Sequence, residues 1–154
     1  AWRERPPGAD AGASELVAAL AGADVVHVAA HGQHRPASPM FSSLQMADGE
    51  VYAHELPTGE VRAGHVVLSS CDVGTSQVRP GDEPLGLAHT LLSLGVGSVV
   101  AAVAPVPDDE TTQVMADYHT ALARGLSSDE ALAEAGAGSA FVVLGSSWRA
   151  GGRN

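Results

Sequence analysis

Aromatic residues make up only 4% of this sequence, cysteine occurs once, and Lys+Arg number 8 against 18 Asp+Glu. Each shortage excludes something. With a formal charge of −10 and no Lys/Arg cluster, the chain offers no surface for a phosphate backbone, so nucleic acid is not an expected partner. One cysteine can build neither an internal disulfide framework nor a multi-cysteine zinc site. No apolar run approaches the roughly 20 residues that span a bilayer, and no signal peptide opens the chain. We therefore expect no membrane partner and a reducing, cytoplasmic setting, which would also keep a working thiol reduced.

Small apolar residues take the place of the missing aromatics and suit close packing of helices on a sheet. A composition of 45% hydrophobic and 17% charged residues over 154 positions is that of one globular domain with a real core. The sequence opens at Ala1 rather than Met, and Arg3–Gly12 is polar and contains Pro and Gly. It reads as an excerpt of a longer protein, with 1–13 a linker or irregular segment and 146–154 a tail.

Between these ends, helices alternate with short, wholly apolar strands. Ser14–Leu20 reads as a helix closed by Gly22. Val25–Ala30 is nearly continuous in apolar character, as expected of a strand buried on both faces, and it stops at His31-Gly32. A polar loop follows. Leu44–Met46 and Val51-Tyr52 form a hairpin with its turn at Asp48-Gly49, and Ala53–Leu56 is one helical turn. His65–Ser69 is the second buried strand, ending at Ser70-Cys71. After the Gly-, Ser- and Asp-rich stretch Asp72–Glu83, Pro84 fits the first position of a helix with Leu85, Ala88, Leu91 and Leu92 on its apolar stripe. Ser98–Val103 is the third strand. Asp108 can cap a helix that buries Val114, Met115, Tyr118 and Leu122. Ser127-x-x-Glu130 matches a capping box, and Phe141–Leu144 is the fourth strand. Such alternation implies an α/β sandwich on a mostly parallel sheet, with the chemistry on loops at the strand C-termini.

Two residues stand where that chemistry belongs. His31 and Cys71 each follow a buried strand, so neighbouring strands would bring both to one sheet edge. A thiol there can attack an acyl carbon while the imidazole moves the proton. Gly32, having no side chain, lets its backbone N–H approach a substrate oxygen closely. A metal centre built on His27, His31 and His34 is the weaker reading, because no acidic or thiolate cluster joins them. There is no G-x-S-x-G elbow and no Walker A run.

Ala29-Ala30-His31-Gly32, Ser69-Ser70-Cys71-Asp72-Val73-Gly74, Gly86-Leu87-Ala88, Leu94–Ala101 followed by Pro105-Val106, and Leu144-Gly145 occur in order at compatible spacing. In these motifs the chain resembles the CHAT domain, a caspase-like peptidase domain often attached to tetratricopeptide repeats. The resemblance implies a caspase-like three-layer sandwich over 14–145, related to separases and gingipains, with the N-terminal part of the family domain missing. The sheet edge left by a missing strand would have to be covered by another segment. It also implies a cysteine endopeptidase without metal or organic cofactor. His31 and Cys71 fall on the catalytic positions, and the Gly32 and Cys71 amides fall on the oxyanion hole. Asp72, beside the nucleophile, and Ala104, where the family often carries Trp, would border the substrate groove. Its expected partners are a protein or peptide substrate and regulatory segments of the same chain, such as tetratricopeptide repeats. The caspase signature Q-A-C-[RQG]-G is not met. The rivals are a catalytically silent caspase-like interaction module and a different acyl-transfer hydrolase using the same pair.

Overall fold

The valine-rich runs of the sequence become the strands of one sheet. A computed structural model of the protein describes residues 11–33, 38, 41–56, 59, 61–69 and 82–151. Along these, α1 (Ala13–Gly22) leads into β1 (Val25–Val28), β2 (Gly32–Gln33), β3 (Ser43–Met46), β4 (Gly49–Tyr52) and a 3-10 turn at Ala53–Glu55. There follow β5 (His65–Leu68), α2 (Asp82–Ser93), β6 (Ser98–Ala102), α3 (Asp108–Ala123), α4 (Ser128–Ala135) and β7 (Phe141–Gly145).

The main sheet has the order β1-β5-β6-β7. β1 and β5 run parallel, as do β5 and β6, while β7 is antiparallel to β6. The mostly parallel sheet expected from the apolar runs is therefore present, with a reversed last strand. The cause is the connection: α3 and α4 form a helical hairpin that returns the chain to the C-terminal end of β6, where Phe141 pairs with Ala102. A parallel strand would need another crossover.

Alternation along the strands divides the core in two. Val26, Val28, Val66, Leu68, Val99 and Ala101 face the side covered by α1 and α2, with Leu16, Leu20, Ala88 and Leu91 against them. Val67, Val100 and Ala102 face α3 and α4, meeting Val114, Met115, Tyr118 and Leu122. This is the three-layer sandwich. Val66, Val67, Val99 and Val100 are wholly enclosed, and each such side chain contributes on the order of 2 kcal/mol by leaving water. A second, three-stranded sheet, β2-β3-β4, grows from the loop after β1.

Local details depart from the sequence expectation in small ways. The hairpin turn sits at Ala47-Asp48, and Gly49 pairs with Met46 at φ 138°, a conformation that glycine tolerates best. Pro84 is the third residue of α2 rather than its first, which costs no bond because first-turn N–H groups have no intrahelical acceptor. Asp108 is the first residue of α3, and Pro107 takes the cap position without a side-chain bond. The Ser127/Glu130 capping box forms as expected, with Ser127 Oγ accepting from Glu130 N and Glu130 Oε2 accepting from Ser127 N. The Ser127 N–H and then the Ser127 hydroxyl, both donating to Glu130 Oε2, followed by Arg149, hold the Glu130 carboxyl below its ordinary pKa.

Candidate active site

The C-terminal edge of the parallel strands is built by β1 and β5 together. Val25 pairs with His65, Val26 with Val66, His27 with Val67 and Val28 with Leu68. The Ser69 N–H then donates to the Val28 carbonyl, at 3.1 Å, so the two strands leave the sheet tied together. Strand adjacency, which the pairing of His31 with Cys71 requires, is thus met. Cys71 follows His31 by the same interval that separates every partner in this ladder.

His31 lies past the end of β1 and is exposed. Its carbonyl accepts from the Gln45 N–H at 2.7 Å, which anchors the loop to β3. That bond, with Gly32 opposite Leu44, makes Gly32-Leu44 a non-hydrogen-bonded pair of the antiparallel ladder. The N–H and C=O of Gly32 are consequently turned away from β3. A Cβ at this position would reach the Ser43 carbonyl at 3.6 Å, an ordinary contact, so the position is roomy. Ala104 is half-buried in the turn after β6. Cys71, Asp72 and His34 lie outside the described residues.

Beneath this edge, on the face under α3, sits a hydrogen-bonded chain of polar groups that the sequence did not announce. His27 Nε2 meets Ser69 Oγ at 2.6 Å, and His27 Nδ1 meets His119 Nε2 at 3.0 Å. Loss of water, and after it the His119 imidazole, lower the His27 pKa to about 4. The ring keeps an exposed edge, and solvent there screens both effects. A neutral His27 has one N–H and one bare ring nitrogen, which suits a chain that needs a donor on one side and an acceptor on the other. Among the described residues no group of three or more His, Cys, Asp or Glu could hold a metal; the set His27, His31 and His34 includes one residue outside them.

A second histidine occupies the opposite end of the same face. His65 is fully enclosed, its Nε2 lies 2.8 Å from the Tyr118 hydroxyl, and its ring stacks on Trp148 at 5.2 Å. Burial lowers its pKa to about 4; the Ser98 backbone opposes the shift in part and His119 adds to it. Burial, then Asp129, raises the Tyr118 pKa, so the phenol keeps its proton and can donate it to His65. His65 Nδ1 and Ser98 Oγ have no partner of hydrogen-bonding geometry among the described residues.

A family model for the CHAT domain matches residues 4–138. The chain belongs to the CHAT domain family. The caspase-like, three-layer architecture of a CHAT domain agrees with the sheet and helices described above. A comparison with curated proteins finds no match. In this CHAT domain no helix of the described residues is long and apolar enough to cross a membrane.

The edge can therefore present an imidazole, at His31, and an outward-turned amide, at Gly32, in front of a sheet whose neighbouring strand leads to a thiol. His27, Ser69 and His119 were missed as a group. The signal available was polarity in the wrong place: a His and a Ser inside runs otherwise made of Val, Leu and Ala.

Proposed function

We propose that this CHAT domain is a cysteine endopeptidase in which His31 and Cys71 form the catalytic pair. The observation that carries this reading is the β1-β5 ladder, parallel and in the register that separates His31 from Cys71. In the proposed reaction, His31 takes the thiol proton and the thiolate attacks the peptide carbonyl carbon. Backbone N–H groups of Gly32 and Cys71 stabilise the oxyanion that forms. His31 then delivers the proton to the leaving amine as the C–N bond breaks, leaving a thioester. Water, deprotonated by His31, hydrolyses that thioester and restores the thiol. No metal or organic cofactor takes part. Asp72 and Ala104 border the groove, and the Asp72 carboxylate favours a basic side chain before the cleaved bond. Other segments of the full-length protein, such as tetratricopeptide repeats, regulate access of the protein or peptide substrate.

The test is an active-site thiol probe on the full-length protein, together with peptide turnover. Cys71→Ala and His31→Ala should each lower turnover by at least about a thousandfold, and the double variant should be no worse than either single one, since the two residues act as a unit. Turnover that survives Cys71→Ala would overturn the mechanism. An intact fold with neither labelling nor turnover would leave the interaction module as the function.

A further inference from the structure

The second sheet turns one face to the core and the other to solvent. Leu44, Val51 and Ala53 join the core cluster that contains Leu16 and Leu20 of α1. At alternate positions Gln45, Glu50 and His54 are exposed. The pairing of Ser43 with Tyr52 extends one step past the strands, because the Ala53 N–H donates to the Ser42 carbonyl at 2.8 Å. Phe41 and His54 therefore meet across the end of the hairpin, with ring centroids 5.4 Å apart. His54 also stacks on Tyr52, at 5.6 Å with 28° between the ring planes. Three rings thus stand in a row with His54 in the middle.

This chain has only two Phe, two Tyr and two Trp to place. Tyr118 and Phe141 lie in the core and Trp148 packs against it, whereas Phe41 is 51% exposed. Cross-strand ring contacts stabilise a hairpin end, but burying the Phe would serve that purpose better than leaving half of it in water. Two carboxylates flank the row. Glu50 Oε2 accepts from the Tyr52 hydroxyl at 2.7 Å, and Glu55 Oε2 accepts from the Tyr52 N–H at 2.8 Å. Each bond uses one carboxylate oxygen. Both glutamates are exposed, and the ion pairs among the described residues engage Glu130 and Glu134 rather than these two. The patch therefore joins electron-rich ring faces to two negative charges that no basic side chain of the described residues neutralises. The net charge of −10 adds to its attraction for a cation.

A guanidinium meets these terms. It is planar and stacks on an aromatic face, while its edge N–H groups fork to a carboxylate. We propose that Phe41, Tyr52 and His54, flanked by Glu50 and Glu55, form a docking platform for an arginine side chain on a segment of a partner protein. The platform goes beyond the peptidase reading and does not depend on it.

The experiment uses the full-length protein carrying Cys71→Ala, so that turnover plays no part. The probe is the blocked peptide acetyl-Gly-Ser-Arg-Ser-Gly-amide; its control replaces arginine with citrulline, which has nearly the same shape without the charge. The readout is the NMR shift of the His54 Cε1–H signal, assigned by its absence in His54→Gln, with melting curves recorded for every variant. The arginine peptide should move that signal saturably with a Kd on the order of 1 mM, and the citrulline peptide should bind at least about tenfold more weakly. Phe41→Ala and the double variant Glu50→Gln/Glu55→Gln should each weaken arginine binding about three- to fivefold. Phe41→Trp should bind at least as tightly as the parent, because the indole face holds a cation best.

Equal affinity for the citrulline peptide would overturn the proposal in favour of an apolar contact. Unchanged affinity in a folded Phe41→Ala variant would overturn it in favour of diffuse charge attraction. A His54 signal that shows no saturable shift with the arginine peptide would overturn it outright.

Discussion

Consecutive residues of α3 reach two histidines of the sheet, and the two ends they serve are built on different terms. The Tyr118 hydroxyl meets His65 at the N-terminal end of β5, while His119 meets His27 near the C-terminal end of β1. Both sheet histidines have their pKa lowered to about 4, with burial as the first cause. Yet His65 is 0% exposed, stacked on Trp148 and close to a second orphaned polar atom, Ser98 Oγ, whereas His27 keeps an open edge and both its ring nitrogens have partners. A lowered pKa therefore does not by itself mark a functional group. The N-terminal end behaves as a structural plug, whereas the polar contacts of the C-terminal end tie Ser69 to β1 and β1 to α3 at a surface that solvent reaches.

If that contrast is right, substitutions at the lower end should change stability and leave thiol chemistry alone. The largest effect is expected at Gly145, which pairs with Ser98 at φ 88°, where an added Cβ would sit 2.5 Å from the Gly97 carbonyl oxygen and 2.8 Å from Leu92 Cδ2. Gly145→Ala should cost about 3 kcal/mol through left-handed strain and overlap with backbone, seen as a lower denaturant midpoint at unchanged slope.

Acid provides the next test, with an effect of similar size. His65 has a folded pKa of about 4 against an ordinary 6.5, so the unfolded chain binds more protons between those values and stability falls as pH drops through that window. Above pH 6.5 the effect is absent; near pH 4 it reaches on the order of 3 kcal/mol for a group so enclosed. His65→Phe should flatten the loss of melting temperature between pH 6.5 and 4, whereas an equally steep loss in that variant would place the sensitive group elsewhere. His27 is too exposed for its shift to be read as stability in this way.

Tyr118→Phe removes the hydroxyl and leaves a buried His65 Nε2 unpaired, for a loss of about 1–3 kcal/mol in chemical denaturation. In the same variant Cys71 alkylation should remain within about twofold of wild type at temperatures where the protein is folded. A tenfold drop there would erase the distinction between the two ends. The smallest effect is at the start of α4, where Ser127→Ala removes a cap oxygen for about 1 kcal/mol.

Residue chemistry alone made much of the frame legible. His65–Leu68 and Ser98–Ala102 are strands because continuous apolar runs can be buried only between two layers, and the sequence shows that without reference to neighbours. Val25–Val28, expected to be buried on both faces as far as Ala30, is instead an edge strand that buries Val26 and Val28 and leaves His27 exposed. The buried face of α3 at Val114, Met115, Tyr118 and Leu122 follows from helical spacing, and the capping box at Ser127 follows from local geometry. For the site, the position of His31 at a strand end and the absence of a side chain at Gly32 were readable in the same way.

Other features were decided only when the elements packed. The reversal of β7 depends on where the α3-α4 hairpin delivers the chain, a matter of helix length and docking rather than of the residues Phe141–Gly145 themselves. The outward turn of the Gly32 amide depends on which pair of the β2-β3 ladder carries the hydrogen bonds. The assembly of His27, Ser69 and His119 depends on contacts between residues far apart in sequence, across the strand register and the angle at which α3 crosses the sheet. Sequence sets what each segment can bury, because periodicity and capping act within a few residues of one another. Hydrogen bonds between distant segments are fixed by tertiary structure, because their directional, angstrom-scale geometry exists only once two independently formed elements meet.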